Sequence, residues 1–213
     1  MSIATLILGQ SGTGKTASLR NFDPASTALI KAVEKPLPFR AVGWSQYTTD
    51  NWSNIIQGAR KAVSKGKQVI VVDDFQYVMA NEFMRRSDEK TFDKFTEIAR
   101  HAWEVINMLS ALPEHVRVYL LSHTQDDDYG RTKAKTIGKL LDEKITLEGL
   151  FTIVLRTQVM DGQYQFRTTN NGNDTVKAPM GLFASDVIDN DLAAIDAAIC
   201  EYYQLAQQPA QEA

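Results

Sequence analysis

The sequence is poor in cysteine and histidine, and it has no long apolar run. Cys200 is the single cysteine, so no disulfide can form within the chain, which fits a reducing cytosol. The three histidines are scattered, and no Cys/His cluster has the spacing of a zinc site. The apolar run near the N-terminus is too short for a signal peptide and follows no basic region. We therefore expect a soluble, cytoplasmic protein without a membrane partner.

An excess of positive charge is also missing. The 23 Lys and Arg residues face 26 Asp and Glu residues, which leaves a formal net charge of -3. Any contact with nucleic acid must therefore use a local basic patch. The 213 residues, 44% of them hydrophobic, are enough to bury a core without disulfides or metal. We predict one domain over residues 1–205 and a disordered tail over residues 206–213.

Strand-like and helix-like segments alternate along the chain. The strand-like runs are rich in Val, Ile and Leu without strict alternation, which is typical of parallel strands buried on both faces. A hairpin signal at Asp161-Gly162 and a final helix starting near Asp189 or Asp191 follow. The predicted fold is therefore α/β, with a mostly parallel sheet, covering helices and a C-terminal β-hairpin. The predicted strands are Ile3–Leu8, Thr27–Val33, Gln68–Asp73, Val116–Ser122 and Leu150–Thr157, and the helices are Lys15–Asn21, Asn51–Ser64 and Thr91–Leu112.

A glycine-rich motif lies between the first strand and the first helix. It matches G-x-x-x-x-G-K-[ST], and its residues are Gly9, Gln10, Ser11, Gly12, Thr13, Gly14, Lys15 and Thr16. Glycines let the backbone N–H groups approach a phosphate closely, and the following helix N-terminus adds a favourable potential. Lys15 would neutralise the β- and γ-phosphates, and the Thr16 hydroxyl would hold Mg²⁺. The motif predicts a P-loop nucleotide site.

Acidic residues follow two of the other predicted strands. Asp73 ends the run "QVIVVD" and is the predicted Mg²⁺-side carboxylate. Asp74 would either orient Asp73 or cap the next helix. Glu34, just past the second strand, lies near the sheet edge where ligands bind, so it is either the general base for water or a solvated loop residue.

Polar and basic residues follow the fourth strand. His123 is either a sensor of the γ-phosphate or a structural histidine. The next segment carries Arg131, Lys133, Lys135 and Lys139, which suit a phosphate backbone but equally form a solvated loop. Arg85 and Arg86 lie beside aromatic residues that could stack on bases or belong to the core.

The glycine motif, the acidic strand ends and the polar and basic segments follow one another along the chain in an order that resembles the ATPase core of RecA-type recombinases. The chain is similar in particular to the short RecA-like ATPases of bacteriophages that are associated with single-strand annealing and recombination. The resemblance spans roughly residues 3–185 and is carried by "GQSGTGKT", Glu34, "VIVVDDF", "LLSHTQ" and "LFTIVLRT". The chain departs from large recombinases in starting directly at the first strand, which favours annealing or an accessory role over full strand exchange.

The resemblance implies ATP and Mg²⁺ as cofactors and single-stranded DNA as a partner. It implies a ring or filament of identical subunits, and a single-stranded-DNA-binding protein as a further partner. The segments 84–94 and 125–139 would face the DNA. A basic residue from the neighbouring subunit would complete the ATPase site, and Arg167 and Lys177 are the candidates.

Two other functions remain open from the sequence. A kinase for nucleosides or other small molecules would share the phosphate grip but need an acceptor pocket, and Arg131 could belong to its lid. A nucleotide-dependent interaction protein, such as a helicase loader, would use the basic segments to contact protein. No N-K-x-D stretch that would read guanine is present, although adenine has no fixed motif.

Overall fold

The computed structural model describes residues 1–205, so the tail predicted over 206–213 lies outside the described residues. Eight strands form one sheet. Six of them pair with one another in parallel, and these are β1 (Ile3–Leu8), β2 (Thr27–Lys31), β3 (Ser45–Thr48), β4 (Val69–Asp73), β5 (Arg117–Ser122) and β8 (Ile153–Met160). The other two, β9 (Gln163–Arg167) and β10 (Val187–Asp189), pair in antiparallel fashion. The order across the sheet is β10-β9-β8-β1-β5-β4-β2-β3. A separate two-stranded hairpin consists of β6 (Thr124–Asp126) and β7 (Thr132–Ala134).

Helices cover both faces of the sheet. On one face, α1 (Trp52–Ser64), α2 (Gln76–Arg85) and α3 (Asp93–Ser110) pack on a large apolar cluster. On the other face, a 3-10 helix at Thr16–Asn21 and α4 (Leu192–Tyr202) pack on a second cluster. Short helical turns at Leu140–Ile145 and Leu147–Leu150 lead from the small hairpin to β8. No helix within residues 1–205 is long and apolar enough to cross a membrane.

The predicted α/β class is confirmed, because the sheet is mostly parallel and helices cover both of its faces. Every residue of β2, β4 and β5 is buried, as expected for strands covered on both sides. The predicted hairpin at Asp161-Gly162 extends the sheet, as expected. The helix predicted from Asn51 begins one residue later, at Trp52, and Asn51 is its N-cap, since the Asn51 side chain accepts from two backbone N–H groups. Asp191, one of the two predicted starts of the final helix, caps α4 in the same way.

The segment following β5, predicted as a loop, instead contains the β6–β7 hairpin. Its residues are so polar that period-2 alternation is hidden, and its tip at 127–131 is held by backbone bonds to the Asp127 carboxylate. The hairpin stands at the carboxyl end of β5, and this is also the sheet edge where β1 and β4 end. The fold therefore brings the glycine motif, Asp73 and the basic segment to one edge.

Candidate nucleotide site

The glycine motif forms a tight loop between β1 and the 3-10 helix. Gly12 and Gly14 have φ values of +79° and +94°, a region that side chains with a Cβ enter only with strain. A Cβ on Gly14 would also lie 2.9 Å from the ring of Tyr164. Both glycines are therefore required by the loop's own geometry.

The loop is anchored to β8 as well as to β1. The hydroxyl groups of Thr13 and Thr157 lie 2.6 Å apart, and Thr157 donates to the Leu8 carbonyl at 3.2 Å. A Cβ on Gly9 would lie only 2.0 Å from the Thr157 hydroxyl oxygen. The strand next to β1 therefore fixes the start of the loop, which the sequence motif alone does not reveal.

Lys15 lies folded across the loop it belongs to. Its Nζ donates to the carbonyls of Gly9 and Gln10 at 2.8 and 2.9 Å, and the residue is buried. Burial lowers the pKa of Lys15 to about 8, although Asp74 and Asp73 act in the opposite direction. The lysine is therefore mostly charged at neutral pH, and it can exchange its carbonyl partners for phosphate oxygens.

Thr16 and Asp73 meet directly, as the sequence motifs predict for two groups that share a metal. The Thr16 hydroxyl donates to Asp73 Oδ2 at 2.9 Å, and Asp73 is fully buried at the end of β4. Burial and the Asp74 charge raise the pKa of Asp73 to about 6, against the hydrogen bonds that it accepts from Thr16 and the Asp74 N–H. A hydroxyl and a carboxylate are the oxygen donors that Mg²⁺ prefers, so this pair fits the ion, which would neutralise phosphate charge when bound.

Asp74 connects the site to β5 and to the segment after β2. It is buried with a φ of +58°, and it contacts Lys35 on one oxygen and His123 Nε2 on the other, the latter at 3.5 Å. Burial acts to raise the pKa of Asp74, but the hydrogen bonds from His123 and Lys35 outweigh it and hold the pKa below the usual value. Asp74 does not cap α2, whose N-cap residue Phe75 has no side-chain cap within the described chain.

These groups surround an open cavity of about 510 Å³. Its lining comes from the glycine loop and from the segment after β2, among other elements. His123, predicted as a sensor, lines the cavity because β5 lies between β1 and β4 in the sheet. The lining residues include Gly12, Gly14, Lys15, Thr16, Val33, Lys35, Pro36, Pro38, Asp74, Tyr77, His123 and Tyr164.

Glu34, the predicted general base, is not among the residues lining this cavity. Its carboxylate accepts hydrogen bonds from Thr48 on β3 and from Lys31, and its side chain is 74% exposed. The next residue, Lys35, faces the cavity instead. Sequence reasoning missed Lys35, since side-chain direction after a strand depends on the turn that follows. The base role of Glu34 stays a prediction that requires a change in its partners.

The residues predicted to act on a neighbouring subunit differ in accessibility. The Arg167 guanidinium lies 3.9 Å from buried Asp174, and Arg156, which the sequence did not single out, lies 3.6 Å from the same carboxylate. Lys177 pairs with Val154 through its backbone, and its side chain is exposed. Lys177 is therefore free to reach another chain, whereas Arg167 would first have to leave Asp174.

The six predicted DNA-binding residues are not equally free. Lys133 pairs with Asp142 at 2.7 Å, and Arg85 pairs with Asp50 at 2.6 Å. Arg86 contacts three carboxylates, those of Glu82, Glu89 and Glu97. Lys139 is 85% exposed and makes only a long contact with Glu143, while Arg131 and Lys135 lie on the hairpin and just after it.

Comparison with known proteins agrees with this geometry. The model of the AAA domain family matches residues 1–178, which include the glycine loop, Asp73 and His123. No curated protein matches the chain. The family match and the site together give the chain a nucleotide-binding P-loop ATPase fold. Because the match spans most of the 213 residues, the chain belongs to the AAA domain family.

Proposed function

We propose that the chain is a Mg²⁺-dependent ATPase that acts on single-stranded DNA in recombination or strand annealing. The observation that carries the proposal is that one residue, directly after β5, contacts both the nucleotide cavity and the basic hairpin. His123 faces the nucleotide cavity, and its carbonyl accepts a hydrogen bond from the backbone N–H of Lys135 at 2.8 Å, at the base of the basic hairpin. A change at the phosphates can reach the hairpin through His123, since β6 begins at the next residue.

A surface beside the hairpin combines cations with exposed aromatic rings. Tyr129 at the hairpin tip is 91% exposed, and Phe92 before α3 is 85% exposed. The Phe92 ring lies 6.4 Å from that of Phe95, against which Gly138 packs. The two basic segments therefore approach each other near Gly138 and Phe92. Cations together with exposed aromatic rings suit the backbone and bases of a single strand. We leave Arg86 out of it because three glutamates already neutralise it.

In the proposed cycle, Lys15 and the loop amides hold the triphosphate, and Thr16 and Asp73 hold the ion. The ATP-bound site orders the hairpin through His123, and hydrolysis releases the DNA. The subunits form a ring or filament, and Lys177 is the cation best placed to reach the neighbour's nucleotide. Its exposed side chain, free of the carboxylate that occupies Arg167, supports this choice.

ATP turnover measured with and without oligodeoxynucleotides, over a series of salt concentrations, tests the proposal. We expect DNA to stimulate turnover and ATP to tighten DNA binding, with an affinity that falls steeply as salt rises. Lys15→Ala is the control and should abolish turnover. Phosphate transfer to a nucleoside would instead identify a kinase. Turnover and DNA binding that are indifferent to each other would contradict the proposal and favour a protein-loading role.

A further inference from the structure

Two lysines near the end of β2 point in different directions. Lys31 is buried, and its Nζ donates to Glu34 at 3.2 Å and to the Lys35 carbonyl at 3.1 Å. Lys35 instead lines the nucleotide cavity, where its ammonium pairs with Asp74. The cavity therefore has two lysines in its wall, Lys15 from the glycine loop and Lys35 from the segment after β2.

The two partners in the Lys35–Asp74 pair differ in their freedom to move. The Asp74 side chain is 3% exposed, its backbone N–H donates to Asp73 Oδ1 at 3.0 Å, and its second oxygen faces His123. The Lys35 side chain is 44% exposed on a four-carbon stem. Asp74 is therefore fixed, whereas the ammonium of Lys35 can turn from Asp74 into the cavity.

The position of the metal pair indicates where a terminal phosphate would lie. In P-loop sites the loop amides hold the β-phosphate, and a Mg²⁺ ion supplies positive charge at the terminal phosphates. Thr16 and Asp73, which are hydrogen-bonded at the end of β4, would hold that ion here. A terminal phosphate beside the ion would then lie near Asp74, the next residue in the chain, which is the residue that Lys35 contacts in the cavity.

We propose that Lys35 binds the terminal phosphate of a nucleoside triphosphate, leaving Asp74 as it does so, and thereby distinguishes triphosphate from diphosphate. The inference rests on the proposed nucleotide site and assigns a further residue to it. A triphosphate carries more charge than the Asp74 carboxylate, so it outcompetes Asp74 for the ammonium. A diphosphate does not reach this side, and the Lys35–Asp74 pair then stays closed.

Equilibrium binding of Mg²⁺-ADP and of the Mg²⁺ complex of the imido analogue of ATP tests the inference without turnover. In Lys35→Gln we expect affinity for the triphosphate analogue to fall about ten- to hundredfold, as for loss of a charged hydrogen bond, and ADP affinity to stay within about twofold. Lys35→Arg should keep most of the preference. Lys65→Gln, which removes an exposed lysine after α1, is the matched control and should bind both nucleotides as the wild type does.

Asp74→Asn tests the Lys35–Asp74 contact from its other partner. Lys35 then has no carboxylate to leave, so the preference for triphosphate should increase. In the Lys35→Gln background, the same substitution should leave the ratio of the two affinities unchanged. An equal loss for both nucleotides in Lys35→Gln, or no loss, would overturn the inference while the nucleotide site stands. Failure of the wild-type protein to bind either nucleotide would overturn both.

Discussion

Thr16 and Asp73 are 57 residues apart in the chain, yet the hydroxyl of one donates to the carboxylate of the other at 2.9 Å. The contact exists because β1 and β4 both end at the same sheet edge, with β5 between them. It keeps a buried carboxylate beside a phosphate loop before any ion arrives. The cost of that arrangement is visible in the raised pKa of Asp73.

Asp73→Asn should stabilise the ion-free protein at neutral pH. Folding raises the pKa of Asp73 from 3.8 to about 6, so the folded state binds the proton more tightly than the unfolded state does. The free energy of unfolding therefore falls as the pH rises from about 4 to about 6 and Asp73 loses its proton. Asparagine does not titrate, so the variant avoids this loss and should be more stable than the wild type by on the order of 1 to 3 kcal/mol at pH 7.5. Urea unfolding in chelator should show this difference shrinking toward pH 4.

The control for this experiment is Asp128→Asn, which removes a carboxylate at the hairpin tip. Because Asp128 is exposed, this substitution should change the free energy of unfolding at pH 7.5 by less than about 0.5 kcal/mol. If Asp73→Asn is less stable than the wild type at pH 7.5, the carboxylate stabilises the apo protein and the direction assigned to its pKa is wrong.

Gly14→Ala should impair nucleotide binding. Its φ of +94° costs a residue with a Cβ about 1–2 kcal/mol, and the added methyl group would also press on Tyr164. We expect weaker binding of the ATP analogue in a titration. Gly149→Ala is the control, because within residues 1–205 no heavy atom beyond its chain neighbours and its own helical turn lies within 4 Å of its Cβ position. Equal binding by the two variants would contradict the loop geometry.

Asp196→Ala should strongly destabilise the fold at the end of the sheet opposite the nucleotide site. Asp196 accepts from the Arg117 guanidinium at 3.0 Å and from the Tyr119 hydroxyl at 2.6 Å, and all three residues are buried. Removing the carboxylate leaves a buried cation unpaired, at a cost of about 3–5 kcal/mol. Urea unfolding measures it.

The milder variant Tyr119→Phe removes only one hydrogen bond from this buried group and should cost about 1 kcal/mol. An exposed pair provides the comparison, since Arg85→Gln breaks its contact with Asp50 and should cost about 1 kcal/mol or less. A loss in Asp196→Ala as small as that in Arg85→Gln would show that the cluster tolerates an unpaired guanidinium.

Tyr129→Ala should weaken binding of single-stranded DNA without changing stability. The ring is 91% exposed at the tip of the β6–β7 hairpin, so it contributes little to packing, and stacking on a base is worth about 1–3 kcal/mol. Fluorescence anisotropy of a labelled oligonucleotide measures the loss. Tyr47→Ala, on the far edge strand β3, should bind DNA normally, and equal losses in both variants would argue against a stacking site on the hairpin.

Much of the fold follows from the sequence because its parallel strands are buried on both faces. Runs such as "VIVVD" leave little choice of structure, and β3 escaped prediction because "SQYT" is short, polar and exposed at the sheet edge. The β6–β7 hairpin was hidden in the same way by its charges. A strand without a buried face has no apolar pattern to read.

The sequence predicts the site residues whose spacing is set by the chemistry of phosphate and metal binding. It does not predict those whose role depends on the direction in which the side chain points. Lys15, Thr16 and Asp73 lie together as the motif requires. Glu34 and Lys35 are neighbours in sequence, and only the turn after β2 decides which of them faces the cavity. The anchoring of the loop by Thr157 requires knowledge of which strand lies beside β1.

Pro36 and Pro38 form part of the cavity wall that the segment after β2 supplies. Their rings fix the backbone φ angle, so this wall has little conformational entropy to lose when a ligand arrives. The pocket is thus preorganised on the side that carries Lys35. If Lys35 binds the terminal phosphate as proposed, discrimination between triphosphate and diphosphate requires the motion of a single side chain against a stiff wall.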